Sequence, residues 1–142
     1  MPTSRTNFKV LVADDHFMAR QIVGSILQKH NVFDITMVSN GEEAITAITT
    51  AHAAKTPFHI VFLDWDMPGT SGFDVMTHFR KQKKFASTAF IMLTAVSQQS
   101  DVLNAIKAGA TSYIVKPVSR SRIEEKFLEI CDWVRKNEAQ AS

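Results

Sequence analysis

Acidic residues close two apolar segments of the chain. Asp64 follows the apolar residues 60–63, and the pair Asp14 and Asp15 follows residues 10–13. Short apolar runs bounded by turn residues are typical of strands that are buried on both faces. In an open α/β sheet, ligands bind at the carboxyl ends of such strands. Carboxylates that converge there repel each other unless a cation lies between them, so the pattern indicates a divalent metal and a nucleophilic aspartate.

Two further apolar runs also end in polar residues. Residues 90–93 lead to Thr94, and residues 113–115 lead to Lys116, which precedes Pro117. We expect these side chains at the same sheet edge as the acidic ones, because the strand ends meet there. In chain order, that edge carries an acidic pair, an aspartate, a hydroxyl and a lysine.

The elements that must position these residues are strands and helices in alternation. Apolar residues recur at roughly helical spacing between the strand-like runs. The strands are predicted at residues 9–13, 34–38, 59–63, 89–93 and 112–115. The helices are predicted at residues 16–30, from 41 onwards, from 72 onwards, at 99–108 and at 119–136. Five strands alternating with five helices predict a doubly wound α/β fold with a parallel sheet covered on both faces.

Periodicity also assigns individual side chains to the core. Phe17 opens the apolar stripe of the first helix. On the fourth helix we expect Leu103 and Ile106 in the core, with Val102 one position off that stripe and exposed. Cys131 falls close to the stripe of the last helix and is expected to be a small core residue. It is the only cysteine, so an intrachain disulfide is excluded, which suits a reducing, cytoplasmic location.

The composition is that of one globular domain. A length of 142 residues and a hydrophobic content of 45% are ordinary for a single domain. The formal net charge of +2 is too small to indicate nucleic acid or a membrane as a partner. We expect a polar N-terminal tail at residues 1–7, the domain at residues 8–136 and a short C-terminal tail at residues 137–142. These boundaries leave no room for an output domain.

The ordered strand-end residues resemble those of the receiver domains of two-component response regulators. Pro68 and Gly72 after Asp64, and Pro117 after Lys116, belong to the same pattern. The resemblance runs from about residue 8 to about residue 134 and is closest to the single-domain, CheY-like receivers. It implies a flavodoxin-like or CheY-like sheet with strand order 2-1-3-4-5. It also implies a phosphorylation-activated switch rather than a metabolic enzyme, one that catalyses only its own phosphorylation and dephosphorylation.

The resemblance implies a magnesium-dependent phosphoacceptor. Asp64 would take the phosphoryl group from a histidine kinase or a histidine phosphotransfer protein. Mg²⁺ prefers oxygen ligands and keeps several waters. Asp15 and Asp64 would supply carboxylate oxygens, Asp66 a backbone carbonyl, and Asp14 would act mainly through water.

The remaining site residues are assigned on the same basis. Lys116 would pair with a phosphoryl oxygen, and its peptide bond to Pro117 would be cis. Thr94 would donate its hydroxyl to the phosphoryl group, and Thr94 and Tyr113 would form the switch. The signal would pass to a downstream protein through helix four, strand five and helix five. Asp66 and Val96 are expected to tune the lifetime of the phosphoryl group.

Several alternatives remain open at this level. Asp64 alone could begin a turn, and one of the paired acids could cap the first helix. The Asp-x-Asp segment from Asp64 to Asp66 also matches haloacid dehalogenase-type phosphatases, although Pro68 departs from their pattern and no cap domain is present. A receiver-like module that binds partners without phosphorylation is a further alternative. We expect His16 to begin the first helix rather than to bind metal, since the histidines show no metal-ligand spacing.

Overall fold

The computed structural model describes residues 8–95 and 99–141, and for residues 99 and 138–141 it describes the backbone only. Val96 and the predicted N-terminal tail, residues 1–7, lie outside these ranges. The strands are β1 (Lys9–Ala13), β2 (Asp34–Val38), β3 (Ile60–Asp64), β4 (Ala89–Thr94) and β5 (Ser112–Val115). The α-helices are α1 (Phe17–Lys29), α2 (Gly41–Ala53), α3 (Gly72–Arg80), α4 (Gln99–Ala108) and α5 (Arg120–Ala141), and a short 3-10 helix spans Lys83–Phe85.

All neighbouring strands pair in parallel, in the order β2-β1-β3-β4-β5. This confirms the predicted doubly wound sheet and its strand order. The predicted strand bounds agree with the observed ones to within one residue. The largest difference is in α5, which continues to Ala141 through most of the segment that we expect to be a C-terminal tail.

The sheet separates two layers of buried apolar side chains. Along β3, Ile60 and Phe62 point into the layer covered by α1 and α5. Val61 and Leu63 point into the layer shared with α2 and α3. This alternation is the period-two geometry of a strand, and it explains why buried parallel strands have continuous apolar sequences. Cys131 is fully buried in the first layer, as predicted.

Local sequence fixes where the helices begin near the site. The side chains of Asn40 and Ser71 cap α2 and α3 by accepting hydrogen bonds from backbone amides in the first turn. Gly72, the first residue of α3, lies so close to the end of β3 that a Cβ there would be 2.1 Å from the carbonyl oxygen of Asp64. A glycine is therefore needed for the helix to start against the strand end.

Some predicted core positions are wrong. Phe17 is 61% exposed, and on α4 Leu103 and Ile106 are 48% and 42% exposed. α4 instead turns Ala105 into the core and leaves Val102 half-buried. The physical reason is that a small side chain lets the helix approach the sheet, while the larger apolar residues lie on the outer side.

None of the helices in the described part of the chain is both long enough and apolar enough to span a membrane.

Candidate functional site

The carboxyl edge of the sheet brings the predicted residues together. Ala13 pairs with Leu63, so the residues that follow them, Asp14 and Asp64, end two adjacent strands side by side. On the other side of β3, Asp64 lies opposite Leu93 in β4. Thr94 follows Leu93, and its carbonyl oxygen accepts a hydrogen bond of 2.7 Å from the backbone amide of Lys116. The parallel register thus places the carboxyl ends of β1, β3, β4 and β5 next to one another.

The carboxylates at this edge differ in their exposure. Asp14 is fully buried and Asp64 is 2% exposed. The side chain of Asp15 is 32% exposed, so it forms the outer side of the cluster. The buried oxygens Asp14 Oδ2 and Asp64 Oδ2 receive no hydrogen bond. Buried anionic oxygens without donors are costly, and a cation is the ordinary way to compensate them.

Lys116 supplies one such cation. Its Nζ is 3.1 Å from Asp64 Oδ1 and 3.4 Å from Asp14 Oδ2. The pKa of Asp64 is raised to about 7: burial is the largest cause, the charge of Asp14 adds to it, and the hydrogen bond and charge of Lys116 oppose both. Burial lowers the pKa of Lys116, but the hydrogen bond to Asp64 and the charge of Asp14 outweigh burial, so that pKa is raised. One ammonium therefore does not fully compensate the two buried acids.

His16 also contacts the acids, which the sequence pattern does not indicate. It caps α1 as the residue before the helix, as expected for a helix-start position. Its ring Nδ1 is 3.0 Å from oxygens of both Asp14 and Asp15. The backbone carbonyl of Asp14 accepts a hydrogen bond of 2.7 Å from Arg20, which fixes the turn that leads into α1. The only available signal in the sequence is the position of His16 directly after the acidic pair.

The loop after β3 folds back over the Asp64 carboxylate. The backbone amide of Asp66 donates to Asp64 Oδ1 at 3.3 Å, while the Asp66 side chain is exposed. Trp65 is half-buried and stacks on Phe73, with ring centroids 5.0 Å apart. Thr70 is bound to this side of the fold by a 2.6 Å hydrogen bond from its hydroxyl to a carboxylate of α2. The Asp66 amide thus lies beside the Asp64 carboxylate.

Lys116 is followed by a cis peptide bond to Pro117, the geometry implied by the resemblance. Thr94 and Tyr113 lie on the opposite side of the strand ends, against α4. The side chain of Thr94 is buried, and that of Tyr113 is half-buried with the Lys126 ammonium 5.8 Å from the ring centroid. Both residues line one narrow cleft, together with Trp65, Met92, Asp101, Val102 and Ala105.

The cluster has the donor set that a hard divalent cation requires. Asp14, Asp15 and Asp64 can each direct one carboxylate oxygen to a common point, together with a ring nitrogen of His16. Carboxylate oxygens suit Mg²⁺, and the exposed side of the cluster leaves room for the waters that Mg²⁺ retains. The buried oxygens Asp14 Oδ2 and Asp64 Oδ2, which receive no hydrogen bond, fit the same ion. The acidic pocket is therefore compatible with magnesium.

Comparison with known proteins defines the class. Residues 10–128 match the model of the response regulator receiver domain. The chain is 30% identical to a chemotaxis protein CheY homolog of Campylobacter jejuni, over 86% of this chain and 91% of that protein. It is 29% identical to chemotaxis protein CheY-3 of Vibrio cholerae, over 87% of this chain and 92% of that protein.

Solved structures agree with this class. The receiver domain of the Francisella response regulator 1452 superposes with a TM-score of 0.78 at 27% identity, covering 92% of this chain and 99% of that one. The chemotaxis response regulator CheY4 of Vibrio cholerae gives a TM-score of 0.74 at 28% identity, covering 87% and 98%. The chain belongs to the response regulator receiver domain family and is CheY-like.

Membership in this family establishes the general function. The protein is a phosphorylation-activated signalling switch of a two-component system. Receiver domains and CheY homologues are signalling proteins rather than metabolic enzymes. The similarities do not favour the two alternatives, a binding module that is not phosphorylated and an aspartyl-phosphate phosphatase.

Proposed function

We propose that Asp64 accepts a phosphoryl group from the phosphohistidine of a histidine kinase or histidine phosphotransfer protein. A carboxylate oxygen of Asp64 forms a bond to phosphorus while the bond from phosphorus to the histidine nitrogen breaks, and the nitrogen regains a proton. The observation that carries the proposal is the buried Asp64 carboxylate with Lys116 at 3.1 Å and a second oxygen that receives no hydrogen bond.

Phosphoryl transfer depends mainly on positioning and on neutralisation of charge. Lys116 carries a fixed positive charge next to the acceptor oxygen and can pair with an oxygen of the incoming group. Asp15 and Asp64 would hold Mg²⁺ with the backbone carbonyl of Asp66, and Asp14 would contribute through water. The ion would neutralise phosphoryl oxygens and would lower the raised pKa of Asp64, which keeps the nucleophile ionised.

The switch would run from Thr94 to Tyr113. If the Thr94 hydroxyl moves towards the phosphoryl group, the cleft that it shares with Tyr113 changes shape. The side chains of Val102 and Ala105 line the same cleft, so α4 would respond together with β5. Phosphorylation would select one arrangement through its different contacts with the two states. The output surface would be α4, β5 and α5, and the target a downstream protein.

Phosphorylation by a small donor tests the assignment of the acceptor. With Mg²⁺ and acetyl phosphate, intact-mass spectrometry should show one added phosphoryl group on the wild type. Asp64→Asn should abolish the addition, because an amide is a poor nucleophile. Asp66→Asn is the matched control, since it makes the same change two residues away on an exposed side chain. Equal labelling of wild type and Asp64→Asn would contradict the proposal.

Trp65 offers a direct measurement of the metal. It follows Asp64 and is half-buried, so Mg²⁺ binding should change its fluorescence. Asp15→Ala should remove or strongly weaken the response, because it deletes the outer carboxylate of the cluster. An unchanged Mg²⁺ titration in Asp15→Ala would show that the ion is held elsewhere.

A further inference from the structure

The ring of His16 lies at the position of a metal ligand. Its Nδ1 is 3.0 Å from Asp14 Oδ1 and 3.0 Å from Asp15 Oδ1. It is 3.8 Å from Asp64 Oδ2. In an octahedral shell with bonds of about 2.1 Å, adjacent ligand atoms lie about 3.0 Å apart and opposite ones about 4.2 Å apart. The two separations of 3.0 Å match those of adjacent ligands, and the 3.8 Å separation lies between the adjacent and the opposite value.

Two buried oxygens provide an independent observation. Asp14 Oδ2 and Asp64 Oδ2 receive no hydrogen bond, although both carboxylates are almost completely buried. Lys116 approaches Asp14 Oδ2 and the other oxygen of Asp64, so Asp64 Oδ2 is left on the side of His16. One ligand atom from each of the three acids and from His16 can be chosen so that all four lie within 4.8 Å of one another. A single ion can thus be approached by carboxylate oxygens of Asp15 and Asp64 and by the ring nitrogen of His16, with Asp14 contributing through water.

The polar contacts of the His16 ring are to acids of the cluster itself, since Nδ1 lies at hydrogen-bonding distance from Asp14 Oδ1 and Asp15 Oδ1, and a bound ion would replace these contacts. The backbone of His16 begins α1, but its side chain makes no capping hydrogen bond to the helix. The side chain is 66% exposed, so the ring can turn without disturbing the core. Ligation through Nδ1 requires only that the ring carries its proton on the other nitrogen.

We propose that His16 Nδ1 is a direct ligand of the metal, which makes the site a mixed nitrogen and oxygen site. The inference rests on the proposed function, because it concerns the same metal. Imidazole suits transition-metal dications, whereas Mg²⁺ binds carboxylates, carbonyls and water. A site with a nitrogen ligand binds Co²⁺ and Mn²⁺ more tightly relative to Mg²⁺ than a site with oxygen ligands alone. His16 thereby sets which dication accompanies phosphorylation of Asp64.

Pulsed electron paramagnetic resonance of bound Mn²⁺ tests the nitrogen directly. Electron spin-echo envelope modulation should show coupling to ¹⁴N in the wild type, and the coupling should be absent in His16→Ala. His78→Ala is the matched control, since His78 is an exposed histidine of α3 outside the acidic cluster, and it should keep the coupling. Mn²⁺ bound to the wild type without ¹⁴N coupling would overturn the inference.

The affinities of the wild type and the His16 variants for Co²⁺ and Mg²⁺ provide a second test. His16→Ala should weaken Co²⁺ binding about tenfold or more, as expected for loss of a metal-site contact, and should change Mg²⁺ binding less than about threefold. His16→Asn keeps a good helix-capping residue and should show the same selective loss if the ring nitrogen is the ligand. Equal weakening of Co²⁺ and Mg²⁺ in both variants would overturn it.

Asp15→Ala separates failure of this inference from failure of the proposed site. If the wild type binds Mn²⁺ and Asp15→Ala does not, the carboxylate site is present, and the ¹⁴N coupling alone decides the role of His16. If the wild type binds no Mn²⁺, or if Asp15→Ala binds it equally well, both the proposed metal site and the role of His16 are overturned.

Discussion

The carboxyl edge of the sheet and helix α4 are built in opposite ways. At the edge, Asp14 and Asp64 are buried and are held by Lys116 from one side and by His16 from the other. On α4, Ala105 is the one fully buried side chain among those described, and the large residues Leu103 and Ile106 are exposed. Substitutions at the edge should therefore change the free energy of unfolding more than substitutions on α4, which packs against the sheet through the fully buried side chain of Ala105.

The two regions differ in the role that we propose for them: the edge holds the residues of phosphoryl transfer, and α4 belongs to the output surface. Charge compensation at the edge fixes the positions of the acids, because each buried charge needs its partners. A helix with few buried apolar contacts can shift or open at low free energy. The cleft lined by Thr94 and Tyr113 lies between the two regions, and we propose it as the route of coupling between them.

The largest expected effect on stability comes from Lys116→Ala. Without the ammonium, Asp14 and Asp64 lose their closest cation and face each other buried. We expect the free energy of unfolding of the metal-free protein to fall by about 2 kcal/mol, below the usual cost of breaking a fully buried pair because Lys116 is partly exposed. Urea denaturation measures this. Lys107→Ala, at an exposed position of α4, is the control and should change stability by less than about 0.5 kcal/mol. Equal effects of the two variants would remove the contrast between the regions.

Asp64→Asn should have the next largest effect, with the opposite sign. The pKa of Asp64 is raised from 3.8 to about 7, so the folded protein binds more protons than the unfolded chain between these values. Stability of the metal-free protein should therefore fall as the pH rises through that window. Asp64→Asn should flatten this dependence and stabilise the metal-free protein above pH 7. The shift alone corresponds to about 4 kcal/mol, but the amide also loses the ion pair with Lys116, so we expect a net gain of about 1 kcal/mol. Denaturation at about pH 5 and about pH 8 measures both; a wild type that gains stability between them would contradict the assignment.

Thr94→Ala should have a smaller effect on the free energy of unfolding. It should also break the proposed coupling between Asp64 and α4. The change removes one buried hydroxyl, for which we expect a loss of about 1 kcal/mol or less. Asp64 should still be phosphorylated by acetyl phosphate, but protection of α4 from hydrogen exchange should no longer change on phosphorylation. Thr88→Ala removes a buried hydroxyl at the other end of β4 and serves as the control. An unchanged response of α4 in Thr94→Ala would show that the coupling takes another route.

The smallest effect on stability is expected for Leu103→Glu. Leu103 is 48% exposed, so the free energy of unfolding should change by less than about 0.5 kcal/mol. Binding to the phosphorylation-dependent partner should nevertheless weaken, because an exposed apolar contact on α4 is lost. Asn104→Glu places the same charge at an exposed polar neighbour and should weaken binding less. Val102 is less suitable for this test, since it is half-buried in the cleft and Val102→Glu would also disturb packing. Equal affinities of wild type and Leu103→Glu would place the output surface elsewhere.

The strands, the helices and the residues that meet at the sheet edge could be predicted from the amino-acid sequence. Buried parallel strands have continuous apolar sequences, and each ends at a polar residue, so the apolar pattern alone locates Asp14, Asp64, Thr94 and Lys116. Parallel topology then requires these ends to lie on one edge. The strand order depended on the resemblance, because local patterns do not specify which strands are neighbours.

How charged side chains far apart in the chain compensate one another could not be predicted from the sequence, because it depends on their positions in the folded protein. The raised pKa of Asp64 results from burial and from the charge of Asp14, and neither follows from the residues next to Asp64. The position of His16 among the acids depends on the turn that enters α1. The exposure of Leu103 and Ile106 was predicted wrongly because periodicity identifies an apolar face but not what covers it, and α4 packs through the smaller Ala105.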